Sequence, residues 1–287
     1  GKFACDELDT INQVGDQDGI KLENGVVRMP ESFIKAYQKF VNTGWFSIIG
    51  EKKYGGQDLP LSAVVMINEI WHSTNMSFAT NNMLTQGAVE LLESHGNEKQ
   101  KEYYLPNLIS GKWSGTMNLT EPHAGSDLSS IKTKAIEKDK KFIIKGTKIY
   151  ITHGDQDMSD NIIHLVLAKL PDAPEGVKGI SLFLVPKYYL NDKGTKVKND
   201  IKVVSVEHKL GHNASPTCVL SFGENEGAIG ELVGEPNQGL KAMFTMMNNA
   251  RLNVGVQGLA ISERAYQKAL SFSKERIQGY SLNKNIT

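Results

Sequence analysis

The stretch Gly115-Thr-Met-Asn-Leu-Thr-Glu-Pro-His-Ala-Gly-Ser-Asp-Leu128, followed by Lys148-Ile-Tyr-Ile-Thr-His-Gly154, decides how this chain is read. Trp113, Gly115, Met117 and Leu119 alternate with Ser114, Thr116, Asn118 and Thr120. A period of two describes a half-buried strand with one polar face. The strand runs into a loop in which Gly125 lets the backbone approach a ligand closely and Ser126 offers a hydroxyl, while Thr152 ends a second strand. Two hydroxyl-bearing strand ends aimed at one place suggest a cofactor site.

Before residue 111 the pattern is helical. Pro30-Glu31-Ser32 opens a run in which Phe33, Ile34, Tyr37 and Phe40 recur at helical spacing, and Trp45 and Ile48 continue that surface. After the turn Tyr54-Gly-Gly-Gln-Asp-Leu-Pro60 comes a helix whose Val64, Val65, Met66, Ile67 and Ile70 read as apolar all round and therefore buried. A third helix is expected near Gly87 to His95, and a fourth starts at Asn97 and ends before Gly111.

Beyond Gly111, strand-like runs sit at 113–119, 141–145, 148–152, 162–169, 180–185, 202–206 and 217–222, separated by Gly, Asn, Asp and Pro. Ser129-Ser130 and the charged run from Lys132 to Lys141 read as surface turns. From Gln238 the pattern is helical again, through Leu240, Met243, Phe244, Met247, Leu252, Val256 and Leu259, with no later proline. Helix, then sheet, then helix predicts an α+β fold with segregated layers rather than alternating βαβ units. The expected units are a helical domain at 1–112, a β domain at 113–233 and the start of a second helical domain at 234–287.

Composition narrows the function classes. Thirty-two basic and 32 acidic residues cancel across 287 positions, so no global field steers the chain toward nucleic acid or an anionic membrane. No apolar run approaches the roughly 20 residues of a membrane span. The two cysteines, Cys5 and Cys218, lie far apart without CxxC spacing, which argues against a disulfide framework or a zinc site and fits a reducing cytoplasm. His208 and His212 could be paired as metal ligands, but strand-like flanks and the want of a third ligand leave no metal expected. The chain begins at Gly1, which suggests a processed or excised segment.

The loop Thr120-Glu-Pro-His-Ala-Gly-Ser-Asp127, the later Tyr150-Ile-Thr152 and the helix-sheet-helix order resemble the acyl-CoA dehydrogenase family over nearly the whole chain. Lys53-Tyr-Gly-Gly-Gln-Asp-Leu-Pro60, Gly234-Glu-Pro-Asn-Gln-Gly-Leu240 and Glu275-Arg-Ile-Gln-Gly279 support the resemblance. His123, Leu210-Gly-His-Asn-Ala-Ser-Pro-Thr-Cys218 and Met243-Phe-Thr-Met-Met-Asn-Asn-Ala-Arg-Leu252 are most similar to the branch that includes 3-(methylthio)propanoyl-CoA dehydrogenases.

The resemblance implies an FAD enzyme. A base removes the proton alpha to a thioester while the beta carbon gives hydride to flavin N5, yielding a trans-2-enoyl-CoA. Met117, Leu119 and Thr120, with Gly125, then line the flavin, and Tyr150, Ile151 and Thr152 cover it. Ser126 serves the pyrophosphate or the CoA arm, and Arg276 with Gln278 reaches the pyrophosphate of a neighbouring subunit's FAD, implying a homodimer or homotetramer. Asn248 and Arg251 are expected at the acyl-CoA, and an electron-transfer flavoprotein is the expected acceptor.

The family's base, a glutamate, is expected beyond Thr287, and the alternative position on the long helix carries Ala250, which takes no proton. Helices after 238 would then present apolar faces that further helices cover in the family. Two other readings stay open. One is a catalytically silent flavin or acyl-CoA binding protein lacking the base; the other, a nucleic-acid-associated flavoprotein of the same fold, is disfavoured by the neutral charge balance. Taken singly, Tyr150 is a core aromatic and Arg276 a solvated charge, and the 120–127 loop has a capped turn as its minor alternative; it is their combination that points to a flavin site.

Overall fold

The computed structural model describes residues 1–139, 141–191 and 193–279. One turn of helix (Ala4–Asp9) and α1 (Asn12–Gln17) precede a small hairpin of β1 (Lys21–Glu23) and β2 (Val26–Arg28). This hairpin interrupts the region that sequence periodicity reads as helical. Its turn is Asn24-Gly25, both at positive φ, a dipeptide suited to two-residue hairpin turns. Helix α2 (Glu31–Asn42) starts after Pro30 and turns Phe33, Tyr37 and Phe40 into an aromatic cluster with Phe46, Trp71 and Phe78.

Helices α3 (Leu61–Thr74), α4 (Met76–His95) and α5 (Glu98–Ile109) follow. Asn97 and Gln100 close a reciprocal capping box that fixes the start of α5, as the sequence suggests. Helix α4 begins well before Gly87, under an Asn75 cap, and Phe78 to Val89 are all buried. Leu91, Leu92, Leu105 and Leu108 are wholly buried too, each worth about 1.5–3 kcal/mol on burial. Helix α3 corrects the reading of an all-round buried helix. Val64 is buried, but Met66 is 61% and Leu61 52% exposed.

The middle region is a sheet that closes on itself. Strands β3 (Trp113–Asn118), β4 (Lys134–Lys138), β5 (Lys141–Thr152), β6 (Asn161–Lys169), β7 (Ile180–Pro186), β10 (Ile201–Val206), β11 (Thr217–Phe222) and β12 (Ala228–Val233) form it, with β8 (Tyr188–Leu190) and β9 (Lys196–Lys198) as a separate hairpin. Neighbour pairs β5-β12, β12-β7, β7-β6, β6-β4 and β4-β5 complete a ring, filled by Ala135, Ile144, Val166, Ala168, Phe183 and Val185. Strand β4 corrects the surface-turn reading of 132–141; only Ala135 of its five residues is buried, so the run looks charged.

Two expected strands at 141–145 and 148–152 are one strand bent at Gly146. A Cβ there would lie 2.3 Å from Thr133 Oγ1, and the strand changes partners from β4 and β12 to β11. A single 37-residue helix, α6 (Gly239–Glu275), then crosses β7, α4 and α3. The outer face of β6 and β7 (Ile163, Leu165, Leu167, Leu182, Leu184) packs with α4, α5 and the start of α6, so helices and sheet share one core. This is the segregated α+β arrangement expected from the sequence.

Candidate functional site

The two motifs meet. Ile149 N–H donates to the Thr120 carbonyl at 2.9 Å, so the exit of β3 lies beside the end of β5. Farther back, Gln156 Nε2 donates to Ser114 Oγ at 3.0 Å and to Ser159 Oγ at 2.6 Å, joining the start of β3 to the loop after β5.

The polar face of β3 is the buried one, which corrects the half-buried reading. Ser114, Thr116 and Asn118 are at 0% exposure, while Trp113, Met117 and Leu119 are half-buried and pack against the helical core. Burial is tolerable because the row is hydrogen-bonded: Asn118 Nδ2 donates to Thr116 Oγ1 at 2.9 Å, and Thr116 Oγ1 lies 2.8 Å from His164 Nδ1. Burial, and then Lys187, push the His164 imidazole down to about 3, so it is neutral near pH 7. Asn118 Oδ1 has no partner among the described residues. Strand β3 ends at Asn118, so Thr120 sits in the loop beyond it and not at the strand's last residue.

The loop from Glu121 to Ile131 is pinned by apolar anchors, Ala124, Leu128 and Ile131, each buried in the helical core cluster. Asp127 accepts from Ser129 N and Ser129 Oγ at 2.8 and 2.9 Å, and these bonds hold its carboxyl below the usual range. Gly125 and Ser126 are exposed, and a Cβ on Gly125 would come within 3.3 Å of Thr120 Cγ2.

The strongest polar feature is one that sequence reasoning missed. Lys148 is wholly buried, and its Nζ donates to Glu121 Oε1 at 2.8 Å and to the Leu119 carbonyl at 2.9 Å. Glu121, also buried, accepts from Lys132 N at 2.6 Å, Thr133 N at 3.1 Å and Thr133 Oγ1 at 2.5 Å. Burial raises the Glu121 pKa, but Lys148 and the Lys132 and Thr133 donors outweigh it and hold the carboxyl below its ordinary value. Burial lowers Lys148 to about 8 against the pull of Glu121. The available signal was a lysine at an inward position of an alternating strand.

At the end of β5, Tyr150 is 60% exposed with φ at 59°, and His153 follows at 50°. A bulky residue held in left-handed backbone is strained, and such strain gathers at functional sites. The following turn is held firmly: His153 N donates to the Pro216 carbonyl at 2.7 Å, and Asp155 accepts from Val27 N and pairs with Lys187. Thr152 is half-buried opposite Thr217 of β11. Ile151 departs from the expectation: its side chain is 2% exposed inside the barrel cluster opposite Cys218, past a register shift at which Tyr150 takes its positive φ.

Asn248 and Arg251 are brought together on the exposed side of α6. Arg251 Nη1 donates to Asn248 Oδ1 at 2.8 Å, and the guanidinium lies 5.3 Å from the Phe244 ring centroid. Arg276 and Gln278 are exposed just past the end of α6, where Arg276 Nε donates to Gln278 Oε1 at 3.4 Å and the guanidinium stacks on Phe272. They do not join the 120–152 cluster within this chain. His208 and His212 lie in the loop between β10 and β11, and among the described residues no group of three or more His, Cys, Asp or Glu side chains could hold a metal ion.

These residues suit a planar, polar-edged group. Half-buried Met117 and Leu119 offer an apolar base, Thr120, Ser126 and Thr152 offer hydroxyls at its margin, and Gly125 leaves the loop backbone uncovered. What joins them is the contact of residues 119–120 with 148–149. A cleft of about 770 Å3, lined by Lys138, Lys141, Lys198, Asp200 and Glu224 among others, includes none of them.

Comparison with known proteins bears on the fold and the family. Residues 9–112 match the family described as acyl-CoA dehydrogenase, N-terminal domain, and residues 116–224 match acyl-CoA dehydrogenase, middle domain. A 3-methylmercaptopropionyl-CoA dehydrogenase of Ruegeria pomeroyi is 50% identical over 280 residues, covering 97% of this chain and 47% of the relative. A butyryl-CoA dehydrogenase of Syntrophomonas wolfei is 38% identical over 288 residues, with 96% and 47% covered. The solved butyryl-CoA dehydrogenase of Megasphaera elsdenii superposes with a TM-score of 0.78 at 26% identity, covering 99% of this chain and 69% of that one. The chain thus spans about half the length of the curated relatives it matches. Helical layer, closed β ring and long crossing helix, together with both domain matches, make this chain a member of the acyl-CoA dehydrogenase family.

Proposed function

We propose that this chain carries the flavin-holding part of an FAD-dependent acyl-CoA dehydrogenase, acting on 3-(methylthio)propanoyl-CoA or a short acyl-CoA. The observation that carries the reading is the Ile149 N–H to Thr120 carbonyl bond, which brings the two hydroxyl-bearing motifs side by side. The units are 1–112, 113–233 and 234–287, with cofactor residues drawn from the second.

Met117 and Leu119 form the apolar seat, Thr120 and Thr152 offer hydroxyls to the ring edge, and Tyr150 shields it. Gly125 and Ser126 face the pyrophosphate or the CoA arm, with Ile151 contributing main chain only. Bound there, FAD supplies the hydride acceptor for an acyl-CoA whose alpha carbon loses a proton, the chemistry that gives a trans-2-enoyl-CoA. Arg251, oriented by Asn248, takes the acyl-CoA on α6. Arg276 and Gln278, free of the 120–152 cluster, serve a neighbouring subunit's pyrophosphate in a homodimer or homotetramer. An electron-transfer flavoprotein is the acceptor. No helix among the described residues is long and apolar enough to cross a membrane, and the unpaired Cys5 and Cys218 suit a reducing compartment such as the cytoplasm.

Anaerobic mixing of the FAD-loaded protein with 3-(methylthio)propanoyl-CoA and with butyryl-CoA tests the reading. Bleaching of the visible flavin band supports a dehydrogenase. A band that persists with every acyl-CoA, while the ligands bind, supports instead a silent flavin and acyl-CoA binding protein, the reading that Ala250 on α6 favours.

A further inference from the structure

Glu121 and Lys148 sit where the two motifs cross, and neither has a role in the site described so far. The ammonium bonds to the Leu119 carbonyl and to the Glu121 carboxylate, while the neighbouring Ile149 N–H takes the Thr120 carbonyl. On its far side the carboxylate gathers Lys132 N, Thr133 N and Thr133 Oγ1, drawing the two ends of the 121–133 segment together. His123 Nε2 stands 3.5 Å from the other carboxylate oxygen and 3.0 Å from the Ser130 carbonyl. Both charged side chains are at or below 3% exposure.

A buried ion pair is poor evidence for stability, since desolvating both charges can outweigh their attraction; its better-attested use is to select one arrangement of the chain. Here the arrangement selected is the one that sets Leu119 and Thr120 against Tyr150 and Thr152. We propose that Glu121 and Lys148 are a positioning pair, which fixes the 119–133 loop on β5 in the register that presents Thr120, Gly125 and Ser126 to the cofactor. The cofactor part rests on the flavin reading above; the loop part does not.

Three variants of the full chain test it: Lys148→Met, Glu121→Gln and the double variant, which removes both charges and leaves no lone buried ion should either single fail to fold. Hydrogen exchange without any cofactor reads the loop directly. Exchange of the Lys132, Thr133 and Ile149 amides should rise at least tenfold in each folded variant, while the amides of α4 stay protected. Unchanged protection of those three amides overturns the proposal. FAD titration by fluorescence quenching then reads the cofactor arm: affinity should fall at least tenfold, the double variant should match the singles, and the visible spectrum of the bound FAD should change. A folded double variant with wild-type affinity and spectrum overturns the positioning of the cofactor. If the unmodified chain fails to take up FAD, the flavin reading falls, and the exchange result still decides whether the pair holds the loop.

Discussion

Gly115→Ala is the substitution whose consequence follows most directly from the geometry. Gly115 lies in β3 under α4, and a Cβ there would stand 2.4 Å from the Ala88 Cβ. That partner is the first atom of a side chain in a helix buried from Phe78 to Val89, so it cannot swing aside. Helix and strand must separate by roughly 1 Å for the two methyl groups to reach ordinary contact, which also stretches the 3.2 Å bond from Gly115 N to Thr85 Oγ1. Overpacking of this kind costs about 1–3 kcal/mol, offset by under 1 kcal/mol from the stiffer unfolded chain. A net loss of about 2 kcal/mol lowers the melting temperature by about 3 °C in a chain of this size. Thermal unfolding followed by circular dichroism measures it. Ala88→Gly alone costs about 1 kcal/mol as a helix-interior glycine. In the double variant the clash is gone, so its loss should fall short of the summed single losses by about 1–2 kcal/mol. Strict additivity of the two would refute the close approach of α4 and β3 on which the position of the site wall depends.

Two further outcomes follow from the same contacts. His153 and His164 are driven down to about 3 and His72 to about 4, in each case by burial first, all below their unfolded value of 6.5. The unfolded chain therefore binds protons that the folded one refuses; the stability is fully present above about pH 6.5 and is lost as pH falls toward 3–4. The unfolding free energy from denaturant titrations should drop on the order of 1 kcal/mol per pH unit per histidine below pH 6, and a value that is flat from pH 7 to 4.5 would contradict their burial as neutral rings. For Arg276, which among the described residues pairs with Phe272 and Gln278, Arg276→Ala should leave the fold intact and lower FAD content; light scattering that shows a monomer retaining FAD would remove its role toward a neighbouring subunit.

Much of this fold was legible in the sequence because the signals are local. Pro30, the helix start at Asn97 and the strand-like run at 217–222 each act within one element, and each marks a real helix start or strand. What escaped reading depends on partners distant in sequence. Strand β4 exposes four of five residues and looks like a charged turn until β5 pairs with it, and β12, Ala228–Val233, was not recognised as a strand at all. Strand β3 has the right period with the wrong face assigned, because His164 and the Gln156 turn make a buried polar row acceptable. Met66 and Leu61 are exposed despite an apolar sequence, since α3 meets α4 and α6 on only part of its surface.

The candidate site divides in the same way. The hydroxyls of Thr120, Ser126 and Thr152 and the permissive Gly125 were visible as residue types at the ends of strands. Ile151 was grouped with Tyr150 and Thr152 by resemblance, but an extra residue of β5 between the Lys148–Leu220 and Ile151–Cys218 pairs, where Tyr150 takes its positive φ, breaks the alternation and turns Ile151 into the barrel. The Glu121–Lys148 pair spans 27 positions, and its only local signal, a lysine at an inward strand position, does not name the partner. The Asn24-Gly25 hairpin, by contrast, was announced by its turn and passed over in favour of helical periodicity.

The central claim is that 115–128 and 148–152 together make the flavin site. A crystal structure of the protein with FAD bound tests it most directly. The account predicts the flavin ring seated on Met117 and Leu119, with Thr120 and Thr152 within hydrogen-bonding distance of its polar edge and Tyr150 over it. FAD bound elsewhere, in the charged cleft between Lys138 and Glu224 for example, with these residues left untouched, would contradict it.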